Sequence, residues 1–188
     1  MVVLLGLSAL VPIRALAGQA TPMIDNIPRP DECRIAPRDT LALVELTGTP
    51  AAGELIPERQ RARKGDAPAG QPAPPEVAAG IAATVRELAA CANAGDQARA
   101  LALYSDDYFR RLITSGGGFT PEYAEFLATP QPIAAEKWIA APAVSGARLL
   151  DDGRSGAFVA TGVAEKIPFF LFALVGERWL IDEIIEPA

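Results

Sequence analysis

The sequence contains no histidine. Nucleophilic triads and Cys–His pairs need an imidazole as their base, so both are excluded. Histidine-containing zinc and non-haem iron sites are excluded for the same reason. Two cysteines are also too few for a zinc site made of four thiolates. We therefore expect no metal site, and no motif indicates a cofactor.

Positive charge is scarce as well. Lysine and arginine total 17 against 23 aspartates and glutamates, a formal net charge of −6. Binding to a phosphate backbone requires clustered cations, so we expect no nucleic-acid partner. One basic cluster stands out: Arg59, Arg61, Arg63 and Lys64. It is either a contact for anionic envelope polymer or lipid, or simply a solvated part of a linker.

The first 17 residues have the pattern of a signal peptide. The apolar run Val2–Val11 is too short to span a bilayer, and Ala15-Leu16-Ala17 has the small-x-small form of a cleavage site. Arg14 and the absence of a basic residue before the run depart from that pattern. We predict cleavage near Ala17 and a secreted or extracytoplasmic protein without a stable membrane span.

Cys33 and Cys91 are the two cysteines. In an exported protein an even pair indicates a disulfide, and we predict one here. It would attach a lead segment, residues 18–47, to the first helix of the following domain. Two unpaired buried thiols are the alternative.

The composition changes twice after the lead segment. Residues 48–75 are rich in proline and glycine with little that could be buried, which predicts a largely disordered linker. Residues 76–188 form the folded domain. Within the lead segment, residues 31–38 are predicted to be extended and residues 39–46 to form one short helix.

The domain begins with helices. An apolar stripe at helical spacing predicts the first of them, and its members are Val77, Ile81, Val85, Leu88 and Ala92. Gly95 suits the left-handed position after that helix. Three further helix starts are indicated by short polar residues, namely Asp96, Ser105 and Thr120, the last followed by Pro121.

Strands are predicted over residues 144–150, 154–163, 169–175 and 178–185, joined by turns at Asp152-Gly153 and Gly176-Glu177. A further strand around residues 136–140 is more weakly indicated. Helices followed by an antiparallel sheet define an α+β architecture.

The strand at residues 169–175 is apolar without alternation, so both of its faces require burial. Helices can cover one face only. The other face is covered either by a second copy of the chain, in a homodimer through the sheet, or by residues 30–46 folded back over it.

The order of these elements resembles the nuclear transport factor 2-like superfamily, in particular SnoaL-like domains. The resemblance covers residues 76–186 and lies in the Asn93-Ala94-Gly95-Asp96 junction, the 104–109 stretch Tyr-Ser-Asp-Asp-Tyr-Phe, and the closing 176–181 hairpin Gly-Glu-Arg-Trp-Leu-Ile. Such domains fold as a cone in which helices wrap a bent sheet around a pocket. Six aromatic residues are candidates to line such a pocket: Tyr104, Tyr108, Tyr123, Trp138, Phe172 and Trp179. Packing in the core is the alternative for Tyr104, Tyr108 and the two tryptophans.

Three functions fit this resemblance. The first is an exported, non-catalytic module that binds a small apolar ligand or a protein partner, and the missing histidine favours it. The second is an isomerase or cyclase that uses an Asp or Glu base with tyrosine support. The third is a structural or dimerisation module.

Asp106 and Asp107 are adjacent in sequence, but successive helical residues point about 100° apart. First-turn stabilisation of a helix therefore explains them better than acid–base chemistry does.

Overall fold

A computed structural model describes residues 26–47, 63–114, 119–161 and 166–188. The predicted signal peptide, Arg59 and Arg61 lie outside these ranges. Within them are five α-helices: α1 (Thr40–Thr47), α2 (Pro75–Ala94), α3 (Gln97–Leu101), α4 (Asp106–Thr114) and α5 (Pro121–Ala128). Six strands complete the α+β fold: β1 (Arg63–Lys64), β2 (Gln71–Pro72), β3 (Ala143–Leu149), β4 (Ser155–Ala160), β5 (Phe169–Val175) and β6 (Arg178–Glu186).

The predicted helix starts are confirmed by their capping bonds. The Asp96 carboxylate accepts a hydrogen bond from the Arg99 amide at 3.0 Å. The Ser105 and Thr120 hydroxyls accept from the third amide after them, at 3.0 and 3.2 Å. Each bond satisfies an amide that the first helical turn leaves unpaired, which is why these short polar residues begin α3, α4 and α5.

The strands form one open sheet in the order β1-β6-β5-β4-β3-β2, in which only β1 runs parallel to its neighbour within the described residues. The predicted strand at 136–140 is wrong, since a short 3-10 turn occupies Ala135–Lys137. The Asn93 side chain explains the difference. It accepts from the Ile139 amide at 2.7 Å and donates to the Ile139 carbonyl at 3.0 Å, which satisfies this backbone without a strand partner.

Helix α2 covers one face of the sheet. Its apolar stripe meets alternate residues of the central strands, as the helical spacing predicts. The buried residues of this core are Ile81, Val85, Ala157, Val159, Phe170, Phe172 and Ile181. They hold α2 across the sheet and leave its C-terminal half beside the other helices.

The opposite face of the sheet is covered by residues 63–72, which we call the strap. Its two ends are β1 and β2, which pair with opposite edges of the sheet, so the residues between them cross from one edge to the other. Ala67 packs there on Phe169, Leu171 and Ile185, all of which are buried. Arg148 donates to the Pro68 carbonyl at 3.0 Å.

The strap corrects two predictions. Residues 63–72 are not disordered linker, because their two ends pair with the sheet as β1 and β2. Gly70 lets the backbone approach β3 closely, since a Cβ there would lie 2.4 Å from the Leu149 carbonyl oxygen. Residues 48–62 lie outside the described part. The second face of β5 is covered within the chain, yet by the strap and not by residues 30–46. An uncovered apolar face of β5 was the reason to expect a homodimer, and the strap removes that reason.

Residues 26–47 instead pack on the helices. The predicted disulfide between Cys33 and Cys91 is present and joins this segment to α2. The Glu87 carboxylate of α2 accepts from the amides of Arg34 and Ile35, at 3.0 and 2.7 Å. Helix α1, predicted at 39–46, buries Leu43 in the cluster that α4 and α5 form.

Removing the disulfide should destabilise the protein. The disulfide joins residues that are 58 apart in sequence. Restricting a loop of that length in the unfolded chain stabilises the folded protein by about 4 kcal/mol. We expect a Cys33→Ala/Cys91→Ala variant to lose roughly that much unfolding free energy in urea denaturation. The reduced wild type serves as the control and should match the variant. Equal stability of the oxidised wild type and the variant would contradict the expectation.

Two glycines allow the energetic cost of a left-handed backbone to be measured separately from the cost of steric crowding. Gly95 and Gly176 have φ values of 65° and 62°. A Cβ on Gly95 would lie 1.7 Å from the Gln131 carbonyl oxygen, whereas Gly176 has open space around it. We expect Gly176→Ala to cost about 1 kcal/mol, the left-handed penalty alone. Gly95→Ala should cost several times as much, measured by thermal unfolding; similar losses in both variants would refute the crowding at Gly95.

Candidate functional site

Helices α2, α3, α4 and α5 and the loop residues beside them line an open cavity of about 480 Å³. A volume of this size is within the range of small-molecule sites in proteins. Its wall is composed almost entirely of apolar and aromatic side chains. The lining residues are Val85, Leu88, Ala89, Ala92, Gln97, Ala100, Leu101, Tyr104, Tyr108, Phe109, Phe119, Tyr123, Leu127, Ile139, Pro142 and Thr161.

Small residues on α2 and α3 make room for this cavity. Where α2 lies against the sheet it presents Ile81 and Val85, but nearer its C-terminus it presents Ala89 and Ala92 to the cavity. Ala100 on α3 is equally small. Larger side chains at these positions would fill the space, as they do in an ordinary core.

The far wall of the cavity is fixed by buried polar contacts. Besides its two bonds to Ile139, the Asn93 side chain donates to the Pro28 carbonyl at 2.8 Å. The Gln131 amide donates to the Gly95 carbonyl at 2.8 Å. These bonds attach the chain between α5 and β3 to the end of α2 and so place Ile139 and Pro142 against the cavity.

Tyr104 and Tyr108 are neighbouring residues in the cavity wall that carry hydroxyl groups. Their ring centroids lie 4.6 Å apart with a 43° tilt. Burial, and then the neighbouring Tyr108, raises the pKa of Tyr104 well above its ordinary value. Burial also raises the pKa of Tyr108. Both phenols therefore keep their protons at neutral pH and present hydrogen-bond donors.

The structure brings three of the six candidate pocket residues to the cavity: Tyr104, Tyr108 and Tyr123, the last 51% exposed. The other three lie elsewhere. Phe172 is fully buried in the core between α2 and the sheet, and Trp179 packs on the same core beside Gly80. The Trp138 indole donates to the Ile133 carbonyl at 3.0 Å.

Residues that sequence reasoning missed make up most of the wall. Leu88 and Ala92 belong to the predicted helical stripe, but helical spacing does not distinguish a residue that fills a core from one that borders a cavity. Ile139, Pro142 and Thr161 lie outside the helices and strands of the structure, although the sequence predicts strands over residues 136–140 and 154–163. No local signal marks these three, because the place of their backbone depends on contacts far apart in sequence.

A buried carboxylate lies next to this cavity wall. Asp182 on β6 is 5% exposed. It accepts from the Ser105 hydroxyl at 2.6 Å, and pairs with Arg111 at 2.8 Å and Arg154 at 3.0 Å. Arg154 also pairs with Glu183 at 3.1 Å. Asp182 thus joins β6 to the start of α4 and to β4.

A β-bulge places Asp182 in this network. In the pairing of β5 with β6, Leu171 lies opposite Glu183 and Phe172 opposite Ile181, which leaves Asp182 as the additional residue. A bulge breaks the strict alternation of a strand and redirects one side chain. That is why successive residues, Asp182 and Glu183, both reach Arg154.

The network keeps Asp182 ionised. Burial by itself would raise the pKa of this carboxyl, but hydrogen bonds from Ser105, Arg154 and Arg111 outweigh burial and hold it below the ordinary value. For Arg154, burial by itself would lower the pKa, but hydrogen bonds to the neighbouring carboxylates raise it. A carboxylate held this way is a structural anion and a poor proton acceptor.

Asp106 and Asp107 have structural partners. Asp106 pairs with Arg38 and Asp107 with Arg110, each at 2.7 Å. Both carboxylates are exposed in the first turn of α4, as the dipole argument predicts. Neither lines the cavity.

Neither a metal centre nor a membrane-spanning helix is found in the described part of the chain. No group of three or more Cys, Asp or Glu side chains there is arranged to hold a metal ion. Among the described helices, none combines the length and apolar character that crossing a bilayer requires.

Comparisons with protein-family models, with curated proteins and with solved structures gave no match to this chain.

Asp182→Asn should destabilise the protein in a pH-dependent way. At pH 7 we expect a loss of roughly 2 kcal/mol, since the bonds to a charged acceptor are weakened. A carboxyl whose pKa is lowered on folding contributes its full stability above its unfolded pKa of about 3.9, and that contribution is lost as the pH falls through the folded pKa. The difference between wild type and variant should therefore shrink below about pH 4 in urea denaturation.

The matched control is Asp107→Asn, which removes an exposed ion pair and should change stability by less than about 0.5 kcal/mol. If the wild type and the Asp182→Asn variant differ in stability by a constant amount from about pH 7 to about pH 3, the role given to the charge is refuted.

Proposed function

We propose that this chain is an exported, non-catalytic module of the nuclear transport factor 2-like type that binds a small apolar ligand in the cavity. The observation that carries the proposal is the cavity itself, about 480 Å³ of apolar and aromatic wall. Transfer of apolar surface from water into such a site is favourable by about 25 cal/mol per Å².

The architecture supports the family proposal at the level of element order. Helices α2–α5 precede the antiparallel strands β3–β6, and the cavity is lined by these four helices and the loop residues beside them. The disulfide supports export, because disulfides persist in oxidising compartments outside the cytoplasm. Fold by itself does not determine function, so the cavity and its lining carry the argument.

Binding is favoured over catalysis by the placement of the carboxylates. An isomerase or cyclase of this type needs an Asp or Glu base facing its substrate, with a pKa raised by burial. No Asp or Glu is among the described residues that line the cavity. Asp182, the buried one, is held by two arginines with its pKa lowered.

A fluorescent apolar probe tests this function. N-phenyl-1-naphthylamine is neutral and brightens in apolar surroundings, and we expect saturable binding to the full chain. Ala92→Phe places a ring in the cavity from α2 and should weaken binding at least about tenfold, the loss expected when apolar contact area is blocked. Fluorescence titration, with circular dichroism to verify folding, provides the measurement.

Ala83→Phe is the matched control, because Ala83 is exposed on the same helix and does not line the cavity. Its affinity should equal that of the wild type. Equal binding by the two Phe variants would show that the probe binds elsewhere. Absence of saturable binding to folded wild type would reject the ligand-binding function and favour a structural module.

A further inference from the structure

A row of aromatic rings runs from the inner wall of the cavity towards solvent. Successive ring centroids lie 4.6, 5.6, 6.0, 5.7 and 6.3 Å apart along Tyr104, Tyr108, Phe109, Phe119, Tyr123 and Phe126. Phe109 and Phe119 are buried, whereas Tyr123 and Phe126 are 51% and 56% exposed. A ligand that lies along this row therefore has one end in apolar surroundings and the other end in water.

Tyr123 and Ile139 mark the opening of the cavity, because both line it and both are half exposed. Phe126 continues the row outward from Tyr123, with the two ring planes only 13° apart. Exposed apolar side chains that adjoin one another in this way are typical of a binding surface. The opening is thus an aromatic and aliphatic rim around the cavity.

The charge around this rim is negative. Helix α5 carries Glu122 and Glu125 and no cation, and the turn before Ile139 adds Glu136 and one cation, Lys137. Glu122 and Phe126 are four residues apart in one helix and so lie on the same face of it. A carboxylate is therefore placed beside the ring that ends the aromatic row.

The arginines of the two neighbouring helices, α3 and α4, do not offset this charge. Each of them forms an ion pair with a carboxylate at 2.7–3.2 Å: Arg99 with Asp96, Arg110 with Asp107, and Arg111 with Asp182. Pairs of this kind contribute little net charge to their surroundings, so the rim favours a cation.

The inside of the cavity, in contrast, accepts no charge. None of the described lining residues carries an ionic side chain at neutral pH. A charged group placed there would lose its hydration without gaining an opposite charge, and that loss is large. An ionic ligand must therefore keep its charge at the rim and only its apolar part in the cavity.

We propose that the ligand is a cationic amphiphile, whose apolar tail lies along the aromatic row and whose ammonium head lies over Phe126 beside Glu122. This inference rests on the proposed ligand-binding function and specifies the class of its ligand. A cation is attracted both to the face of an aromatic ring and to a nearby carboxylate. An anionic head is repelled at the same place, which disfavours ligands of the fatty-acid type.

Three probes with the same decyl tail test the inference: decyltrimethylammonium, decanol and decyl sulfate. Each is titrated against bound N-phenyl-1-naphthylamine on the full chain, at concentrations too low for micelles. The wild type should bind the ammonium at least about tenfold more tightly than the sulfate. In Glu122→Gln/Phe126→Leu, which keeps an apolar side chain, the ammonium-to-decanol affinity ratio should fall about fivefold while decanol keeps its affinity.

Glu177→Gln is the matched control, because Glu177 is exposed in the turn between β5 and β6 and does not line the cavity. It should leave the ammonium-to-decanol ratio unchanged. Raising sodium chloride to about 0.5 M should lower that ratio in the wild type, since salt screens exposed charges. This measurement decides the matter even if the double variant does not fold.

Two results would overturn the cationic head and leave the ligand-binding function standing. One is tighter binding of the sulfate than of the ammonium by the wild type. The other is a ratio that neither the double substitution nor salt changes, with decanol still bound. Failure of every probe to bind the folded wild type would instead reject the ligand-binding function itself.

Discussion

The buried anion at Asp182 is the interaction on which the arrangement of this protein depends. Asp182 lies on β6, and its partners come from two other places: Ser105 and Arg111 from α4 and its cap, and Arg154 from the turn before β4. A charge in a nearly inaccessible position is tolerated only when opposite charges and hydrogen bonds surround it. Satisfying Asp182 therefore fixes how the helices meet the sheet, and through Ser105 it fixes where Tyr108 lies.

The strap solves a different problem, that of an apolar sheet with two faces. Helix α2 covers Phe170 and Phe172, while the strap covers Phe169 and Leu171. The composition of residues 63–72 indicates a linker, because few of its side chains could be buried by themselves. The strap instead stabilises the sheet through backbone that packs close to the strands. Arg148, which donates to the strap, also places its guanidinium 5.4 Å from the ring centroids of Phe158 and Phe169.

The candidate site is predictable from the sequence in part. The tyrosines at 104, 108 and 123 are candidates because aromatic residues with hydroxyls suit a pocket, and the structure places all three at the cavity. Trp138, Phe172 and Trp179 rest on residue type alone, and tryptophan or phenylalanine fills a core as readily as a pocket. Sequence reasoning misses Asp182, although a charged residue within an apolar strand is a signal that a partner lies opposite it.

The sequence by itself determined the local elements and some exclusions. The helix starts at Asp96, Ser105 and Thr120 and the turns of both hairpins follow from short-range hydrogen bonds and steric limits between residues close together in the chain. The exclusion of histidine chemistry follows from composition alone. The tertiary structure alone decided the cavity, the strap and the Asp182 network. Each of these joins segments far apart in sequence, and their positions depend on packing and charge pairing that no local pattern encodes.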